Sequence, residues 1–176
     1  VHRLDKDTSG LMVVGKTLVA VTALTRAIAA HDVHRQYLAI CHGKLARSSL
    51  TVDAPVGRDP VSRIRMAVVA SGKPAQTDVT RLHVAEADGA WFSGVRCVLH
   101  TGRTHQIRVH LASLGHPLLG DAIYGGRAGC GMERQALHAA RLAFAHPVSG
   151  QPLEFKALPP DDFSTAWCGL FGGPPT

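Results

Sequence analysis

With 176 residues and 45% hydrophobic content, the chain is long enough to bury a substantial core in one domain. Its net charge is +6, and fourteen of its nineteen cationic residues are arginine, which favours a polyanionic partner such as nucleic acid. No apolar run approaches the length needed to span a bilayer, so no membrane partner is expected. Four widely spaced cysteines favour reduced thiols in a cytoplasmic protein, and eleven histidines without ligand spacing do not predict a metal site.

The first half of the chain predicts one helix among several strands. An apolar run bounded by glycine predicts a buried strand over 10–15, and Thr17 is expected to cap a helix that carries Leu18, Val21, Leu24 and Ile28 on one face. Alternating or apolar stretches then predict five strands, over residues 36–42, 50–52, 65–69, 77–85 and 95–99.

The second half predicts a further helix and a hairpin. Thr104 is expected to cap a helix with Leu111 and Leu114 facing inward, and Gly115 is expected to end it. Two strands, over 141–146 and 151–158, flank the turn formers at 147–150.

Strands outnumber helices, and most neighbouring strands are expected to be antiparallel. The fold class is therefore α+β, with a mixed, mainly antiparallel β-sheet flanked by helices. Residues 1–163 are expected to form the functional domain. Residues 164–176, which end in Gly-Gly-Pro-Pro-Thr, are expected to form a disordered tail.

The first segment that could carry chemistry is His2-Arg-Leu-Asp-Lys-Asp-Thr-Ser-Gly-Leu11. It places the carboxylate of Asp5 between Arg3 and Lys6, and nearby cations favour the ionised form that a nucleophile or base requires. The alternative is that Asp5 and Asp7 only turn the chain, since aspartate is a common turn residue.

A second segment, Thr101-Gly-Arg-Thr-His-Gln-Ile-Arg-Val-His110, gathers donors at the start of the second predicted helix. Free backbone N–H groups there already favour an anion, so these side chains could hold a phosphate or a catalytic carboxylate. A basic, solvated start of a helix is the alternative.

Two further segments carry weaker signals. The stretch 58–73 contains four cations, at Arg58, Arg63, Arg65 and Lys73, against one acid, and could follow a phosphate backbone or form a solvated face. The segment Arg35-Gln-Tyr37 places a tyrosine on a strand, where a core position is the more usual meaning.

Three motifs, in the same order along the chain, closely resemble those of the RluA-type pseudouridine synthases. The first is His2-Arg-Leu-Asp-x-x-Thr-Ser-Gly-Leu11. The second is 101–110 followed by Gly115-His-Pro-Leu-Leu-Gly-Asp-x-x-Tyr-Gly125, and the third is Gln135-Ala-Leu-His-Ala-x-Arg-Leu142 with the hairpin after it. The segments 65–68 and 72–77 look most like the D-type branch, which acts on large-subunit ribosomal RNA.

The resemblance implies an isomerase that converts specific uridines of structured RNA to pseudouridine without a cofactor or metal. Asp5 matches the family's essential aspartate, which either attacks the sugar or removes its C2′ proton. Tyr37 matches the active-site tyrosine, and Arg103 matches the arginine that ion-pairs with the aspartate. Arg3 matches an arginine implicated in flipping the target nucleotide, and Leu142 falls near an apolar wall residue.

The remaining candidate RNA-binding residues come from the two basic segments; they are Arg63, Arg65, His105, Gln106 and Arg108. The expected partner is large-subunit ribosomal RNA, and the expected state is a monomer in the cytoplasm. The alternatives are a transfer RNA pseudouridine synthase of the same family and a non-catalytic RNA-binding module.

This sequence differs from the resembled family in two respects. Family members have catalytic-domain sequence before the first motif, often with an S4-like RNA-binding domain, so we expect this chain to be part of a longer protein. His100 also stands where related sequences often have an acidic or apolar residue; we expect it to affect local packing without changing the assigned roles.

Overall fold

The computed structural model describes residues 1–176 as one large sheet with helices on both faces. Three helices lie at Leu18–Ala29 (α1), Gln106–Ser113 (α2) and Asp161–Phe171 (α3), and one 3-10 turn lies at Ala122–Tyr124. The nine strands are Ser9–Gly10 (β1), His34–His42 (β2), Ser49–Asp53 (β3), Val56–Arg58 (β4), Met66–Val68 (β5), Gln76–Ala87 (β6), Ala90–Leu99 (β7), Leu137–Ala145 (β8) and Pro152–Lys156 (β9).

The main sheet has the strand order β1-β8-β2-β7-β6-β3, and β9 also pairs with β8. The β1–β8 pair is parallel and every other pair is antiparallel, while β4 and β5 form a separate hairpin. The predicted α+β class with a mixed, mainly antiparallel sheet is therefore confirmed.

Alternation along β2 divides the core into two layers. Tyr37, Ala39 and Cys41 face a cluster that includes Ile107 and Leu111 of α2. The intervening residues of β2 face the opposite side, where they pack with Phe163 and Trp167 of α3. The central strand is thus buried on both faces, and α2 is held against one of them.

The cap of the first helix and the closing hairpin agree with the sequence pattern, but Leu18 and Val21 of the predicted apolar face are 81% and 38% exposed. Thr17 caps α1 by accepting a hydrogen bond from the backbone N–H of Ala20 at 3.1 Å, and Leu24 is the buried residue of this helix. β8 and β9 pair as the predicted hairpin. No helix in the structure is long and apolar enough to cross a membrane.

The predicted strand over 10–15 is much shorter in the structure. Only Ser9 and Gly10 pair with β8. A Cβ atom on Gly10 would lie 2.2 Å from the carbonyl oxygen of Ala139, so this close approach of two backbones requires glycine. The chain after Leu11 leaves the sheet.

Two details of α2 differ from the prediction. Its N-cap residue is His105, in a left-handed conformation with φ of 57°, rather than Thr104. The predicted inward position of Leu114 is wrong, because its side chain is 43% exposed at the C-cap of the helix. Gly115 follows with φ of 83°, as expected of a glycine that ends a helix.

The C-terminal segment is the main correction to the predicted organisation. A disordered tail was expected over 164–176, but α3 continues to Phe171 and its Trp167 side chain is fully buried. Gly94 of β7 makes this possible, because a Cβ atom there would lie 2.9 Å from the Trp167 ring. The hydrophobic residues of this segment are few, but they cover an otherwise bare face of the sheet.

Trp167→Ala should lower the free energy of unfolding by about 3–5 kcal/mol, because it removes a large buried side chain and leaves a cavity between α3 and the sheet. Cys168→Ala is the matched control, since Cys168 is exposed on the same helix and should change stability by no more than about 0.5 kcal/mol. Chemical denaturation of both variants measures the difference. Equal free energies of unfolding for the Trp167→Ala and Cys168→Ala variants would mean that α3 does not contribute to the core.

Candidate active site

A cleft of about 490 Å³ opens between the N-terminal loop, β2 and the start of α2. Its lining is rich in groups that can donate protons or carry charge. Its polar and aromatic lining residues are His2, Arg3, Asp5, Thr8, Arg35, Tyr37, Arg103, His105 and Gln106, and its apolar ones include Ile28, Leu99 and Leu137. All three predicted catalytic residues therefore line the same cleft.

The loop that carries Asp5 is fixed by backbone contacts. The carbonyl oxygen of Asp5 accepts a hydrogen bond from the N–H of Thr8 at 3.0 Å, which closes a turn. The side-chain amide of Gln135, just before β8, donates to the carbonyl oxygen of Lys6 at 2.6 Å and to the hydroxyl of Thr8 at 3.2 Å. Asp5 is thus presented from an ordered loop rather than a free terminus.

Arg108 of α2 is the cation that holds Asp5. Its Nη1 lies 3.5 Å from Oδ2 of Asp5, while its Nε and Nη2 donate to the two carboxylate oxygens of Asp121 at 2.8 and 2.9 Å. The Arg108 side chain is 4% exposed, that of Asp121 is 1% exposed, and that of Asp5 is 13% exposed. Burial opposes the charge on Arg108, but the two carboxylates outweigh it and raise the pKa of the guanidinium.

The predicted ion pair between Arg103 and Asp5 is absent from the structure. Nε of Arg103 instead donates to the carbonyl oxygen of Pro74 at 2.9 Å, which holds this side chain at the rim of the cleft. Arg103 and Arg108 occur in one motif, and the direction of their side chains was not visible in the sequence. Arg108 belongs to α2 and its side chain is buried. Arg103 belongs to the loop before α2 and its side chain is only partly buried.

Gln106 organises the loop before α2 and leaves no free group for RNA. It is 3% exposed; its Oε1 accepts from the hydroxyl of Thr101 and the N–H of Arg103, and its Nε2 donates to Gln76 and Thr77. Its predicted RNA contact is therefore replaced by a structural role, because all its polar atoms are engaged inside the protein.

Tyr37 lies on the cleft face of β2 and is 6% exposed. Burial raises the pKa of the phenol to about 12; the nearby Arg35 opposes this rise and Asp5 adds to it. The phenol is therefore neutral near pH 7, and its ring offers a flat apolar surface beside the carboxylate of Asp5.

The contact of His105 with Tyr124 allows a prediction of its tautomer. The hydroxyl oxygen of Tyr124 accepts the backbone N–H of Met66 at 2.9 Å and lies 2.6 Å from Nδ1 of His105. Burial raises the pKa of Tyr124, so its O–H is present, and we expect this O–H to donate to Nδ1 of His105. Burial and Arg108 lower the pKa of His105. We therefore expect a neutral imidazole near pH 7, with its proton on Nε2, a nitrogen that makes no hydrogen bond within this chain.

The other predicted RNA-binding residues are divided between the cleft and the β4–β5 hairpin. Arg3 is exposed and lines the cleft. Arg63 is exposed on the hairpin loop, and Arg65 lies over the Tyr124 ring at 5.5 Å and 3.7 Å from Asp59.

Leu142 does not form an apolar wall of the cleft. It pairs with Arg35 across β2 and β8, but its side chain is buried in a cluster with Leu24, Val33 and Phe144 beneath α1. Leu137, five positions earlier on β8, is the residue of this strand that lines the cleft.

Two residues with clear roles were missed as candidates. Asp121 and Tyr124 both belong to the Gly-Asp-x-x-Tyr-Gly motif, so the motif itself was the available signal. The sequence did not show that Asp121 contacts Arg108 or that Tyr124 contacts His105, because these pairs come together only in the fold. No three His, Cys, Asp or Glu side chains come together in a group that could hold a metal ion.

Arg108→Met should lower the free energy of unfolding by about 3–5 kcal/mol, because Asp121 would remain buried without its cation. Arg103→Met removes the same charge from the same segment but leaves no buried carboxylate, so its loss should stay below about 1 kcal/mol. Urea denaturation compares the two. A loss of similar size in both variants would contradict the structural role of Arg108.

Tyr124→Phe removes the hydroxyl that contacts Nδ1 of His105, so both neutral tautomers of His105 should become populated. Nitrogen-15 NMR of the imidazole rings should show an unprotonated Nδ1 and a protonated Nε2 for His105 in the wild type, and a mixture in the variant. His110 provides an internal control, because its ring is held by Thr77 and Ala54 and should not change. A protonated Nδ1 in the wild type would refute the assignment.

The comparisons with known proteins agree with this arrangement. A family model described as RNA pseudouridylate synthase matches residues 1–113. A protein of Xanthomonas campestris named ribosomal large subunit pseudouridine synthase D is 49% identical over 97% of this chain and 54% of its own length. A Bacillus subtilis protein named uncharacterized RNA pseudouridine synthase YlyB is 46% identical over 93% of this chain and 53% of its own. The chain thus spans about half the length of the curated relatives it matches.

Among solved structures, human RNA pseudouridylate synthase domain containing 1 superposes with a TM-score of 0.75 and 32% sequence identity. The match covers 90% of this chain and 68% of the human one. The family model covers the N-terminal loop, β2 and α2, which together form the cleft around Asp5. The chain belongs to the RNA pseudouridylate synthase family.

Proposed function

We propose that this chain carries the catalytic centre of an RNA pseudouridine synthase, an isomerase that converts specific uridines of structured RNA to pseudouridine. The observation that carries the proposal is the placement of Asp5. Its carboxylate lies in the cleft beside Arg108 and is still 13% exposed, so it can reach a bound nucleotide.

The geometry suits the chemistry that the reaction needs. The N1–C1′ bond of uridine breaks, the base turns, and a C5–C1′ bond forms; C5 loses a proton and N1 gains one, so no oxidant or reductant is needed. The Arg108 guanidinium lies 3.5 Å from Oδ2 of Asp5 and gives this carboxylate a cationic neighbour, and the carboxylate can attack C1′ or take the C2′ proton. Tyr37 supplies a neutral ring beside it.

Enzymes that act on a base within a duplex take that base out of the stack, so we expect the target nucleotide to leave its helix to reach Asp5 in the cleft. Arg3 at the cleft and Arg103 at its rim are placed to contact the displaced nucleotide or its neighbours. Arg63 and Arg65, on the β4–β5 hairpin, extend the basic surface beyond the cleft, where flanking RNA would lie.

Large-subunit ribosomal RNA is the substrate that we propose, in the cytoplasm. The support is the 49% identity with proteins named ribosomal large subunit pseudouridine synthase D over nearly the whole chain. Transfer RNA is the alternative substrate for the same centre, and a non-catalytic RNA-binding module is the alternative for the chain.

Asp5→Asn should abolish turnover, with a loss of at least about a thousandfold, while RNA affinity stays within about threefold, because the amide keeps the shape and loses the charge. The measurement is tritium release from ribosomal RNA labelled at uridine C5, made with the protein at its full natural length and with this chain alone.

Asp88→Asn is the matched control. Asp88 lies in the tight turn between β6 and β7 with φ of 50°, a conformation that asparagine also adopts. Tritium release by the Asp88→Asn variant should equal that of the wild type. Residual release within tenfold of wild type in Asp5→Asn would remove Asp5 from the chemistry. Release from transfer RNA alone would select the alternative substrate, and RNA binding without release from either RNA would select the binding module.

A further inference from the structure

Arg35 is a buried arginine with no partner among residues 1–176. Its side chain belongs to β2 and the residue is 5% exposed, yet it forms no salt bridge, and its Nε has no hydrogen-bond acceptor. Arg108, buried to a similar extent, is held by two carboxylates. The chain therefore contains two buried guanidinium groups, one on β2 and one on α2, and only that of Arg108 has an internal counterion.

An unpaired buried charge is costly, since the effective penalty is several kcal/mol per ion unless a partner compensates it. Burial lowers the pKa of Arg35, in accord with this penalty, but arginine keeps its proton near neutral pH. A residue of this kind destabilises the free protein. Such a cost is typical of a site whose compensating charge arrives with a ligand.

The free guanidinium faces the cleft. Arg35 and Tyr37 are two positions apart on β2 and lie on the same face of the strand. Nη1 of Arg35 lies 2.6 Å from the place that a Cβ atom on Gly102 would occupy, and both residues line the cleft. A larger residue at position 102 would displace the end of the Arg35 side chain from this place.

No carboxylate of the cleft is available to Arg35. Asp5 is the acid that lines the cleft, and it is in contact with Arg108. The other near neighbours, His2 and Tyr37, are neutral near pH 7, because burial lowers the pKa of His2 to about 4 and raises that of Tyr37 to about 12. An incoming anion therefore has no competitor.

We propose that Arg35 forms an anion subsite of the cleft and binds a backbone phosphate next to the target uridine. The proposal rests on the proposed function, since it assumes that a nucleotide occupies the cleft. A phosphate is the formally charged group of RNA, and its oxygens match the planar fork of a guanidinium. The target ribose has to lie at Asp5, and a phosphate flanking that ribose is within the same cleft.

The first test uses the free protein and needs no RNA. Arg35→Met keeps the apolar stem and removes the uncompensated charge, so the midpoint of thermal unfolding should rise by about 2–4 °C. Arg108→Met, which breaks a satisfied ion pair, should lower it. A lower midpoint for Arg35→Met would mean that Arg35 supports the fold, and would overturn the proposal.

The second test identifies the ligand group. The probe is the RNA pentanucleotide ApApUpApA, unmodified or with a methylphosphonate, which is uncharged, on either side of the uridine. Fluorescence anisotropy should show wild-type affinity falling about tenfold at one of the two positions. Arg35→Met should bind the unmodified probe about tenfold more weakly and should be insensitive to the same methylphosphonate.

Arg141→Met is the control for a general loss of positive charge. Arg141 of β8 is paired with Glu154 of β9 and does not line the cleft, so this variant should bind like the wild type. If Arg35→Met remains as sensitive to methylphosphonate as the wild type, Arg35 contacts something other than phosphate and the proposal is wrong.

The tests of the phosphate subsite and of the isomerase activity can fail independently of each other. Asp5→Asn, which should be inactive, is expected to keep the methylphosphonate sensitivity of the wild type, because the phosphate subsite does not use Asp5. Absence of pseudouridine with wild-type protein would refute the activity alone. Absence of a phosphate effect in an active enzyme would refute the subsite alone.

Discussion

The arrangement of the cleft depends on one buried arginine. Two nitrogens of the Arg108 guanidinium donate to Asp121, and the third contacts Asp5. This single side chain therefore connects α2, the 3-10 turn and the N-terminal loop. Asp121 makes the burial of this cation possible, and the cation in turn gives Asp5 a counterion inside a partly enclosed site. The Tyr124 ring lies against the same guanidinium at 5.1 Å, which fixes its position from a third side.

Much of the fold could be predicted because local signals were strong. The cap at Thr17, the alternation through β2 and the closing hairpin each have a direct physical cause in neighbouring residues. The prediction of a disordered tail was wrong because the C-terminal helix depends on contacts with residues that are distant in the sequence. α3 is stabilised by the apolar face that it covers, and the position of Gly94 beneath Trp167 cannot be read from the segment itself.

The site shows the same division. Resemblance placed Asp5 and Tyr37 in one cleft, and the structure agrees, but it assigned the ion pair to Arg103 because the sequence does not show which arginine of a motif points inward. Leu142 was misplaced because five residues along a strand change both the depth and the neighbours of a side chain. Arg35 was noted beside Tyr37 without a role, since the absence of a partner is visible only when every neighbour is known.

The hydroxyl of Tyr124 has a consequence for how the two RNA-facing parts of the chain communicate. It accepts the amide of Met66 on the β4–β5 hairpin and also holds the imidazole of His105 in the cleft. A displacement of the hairpin by flanking RNA therefore moves the hydroxyl that donates to His105, and occupation of the cleft changes the contact between Tyr124 and the hairpin. Thermodynamic linkage requires the two effects to be equal in free energy, so recognition outside the cleft and the protonation pattern within it form one coupled equilibrium.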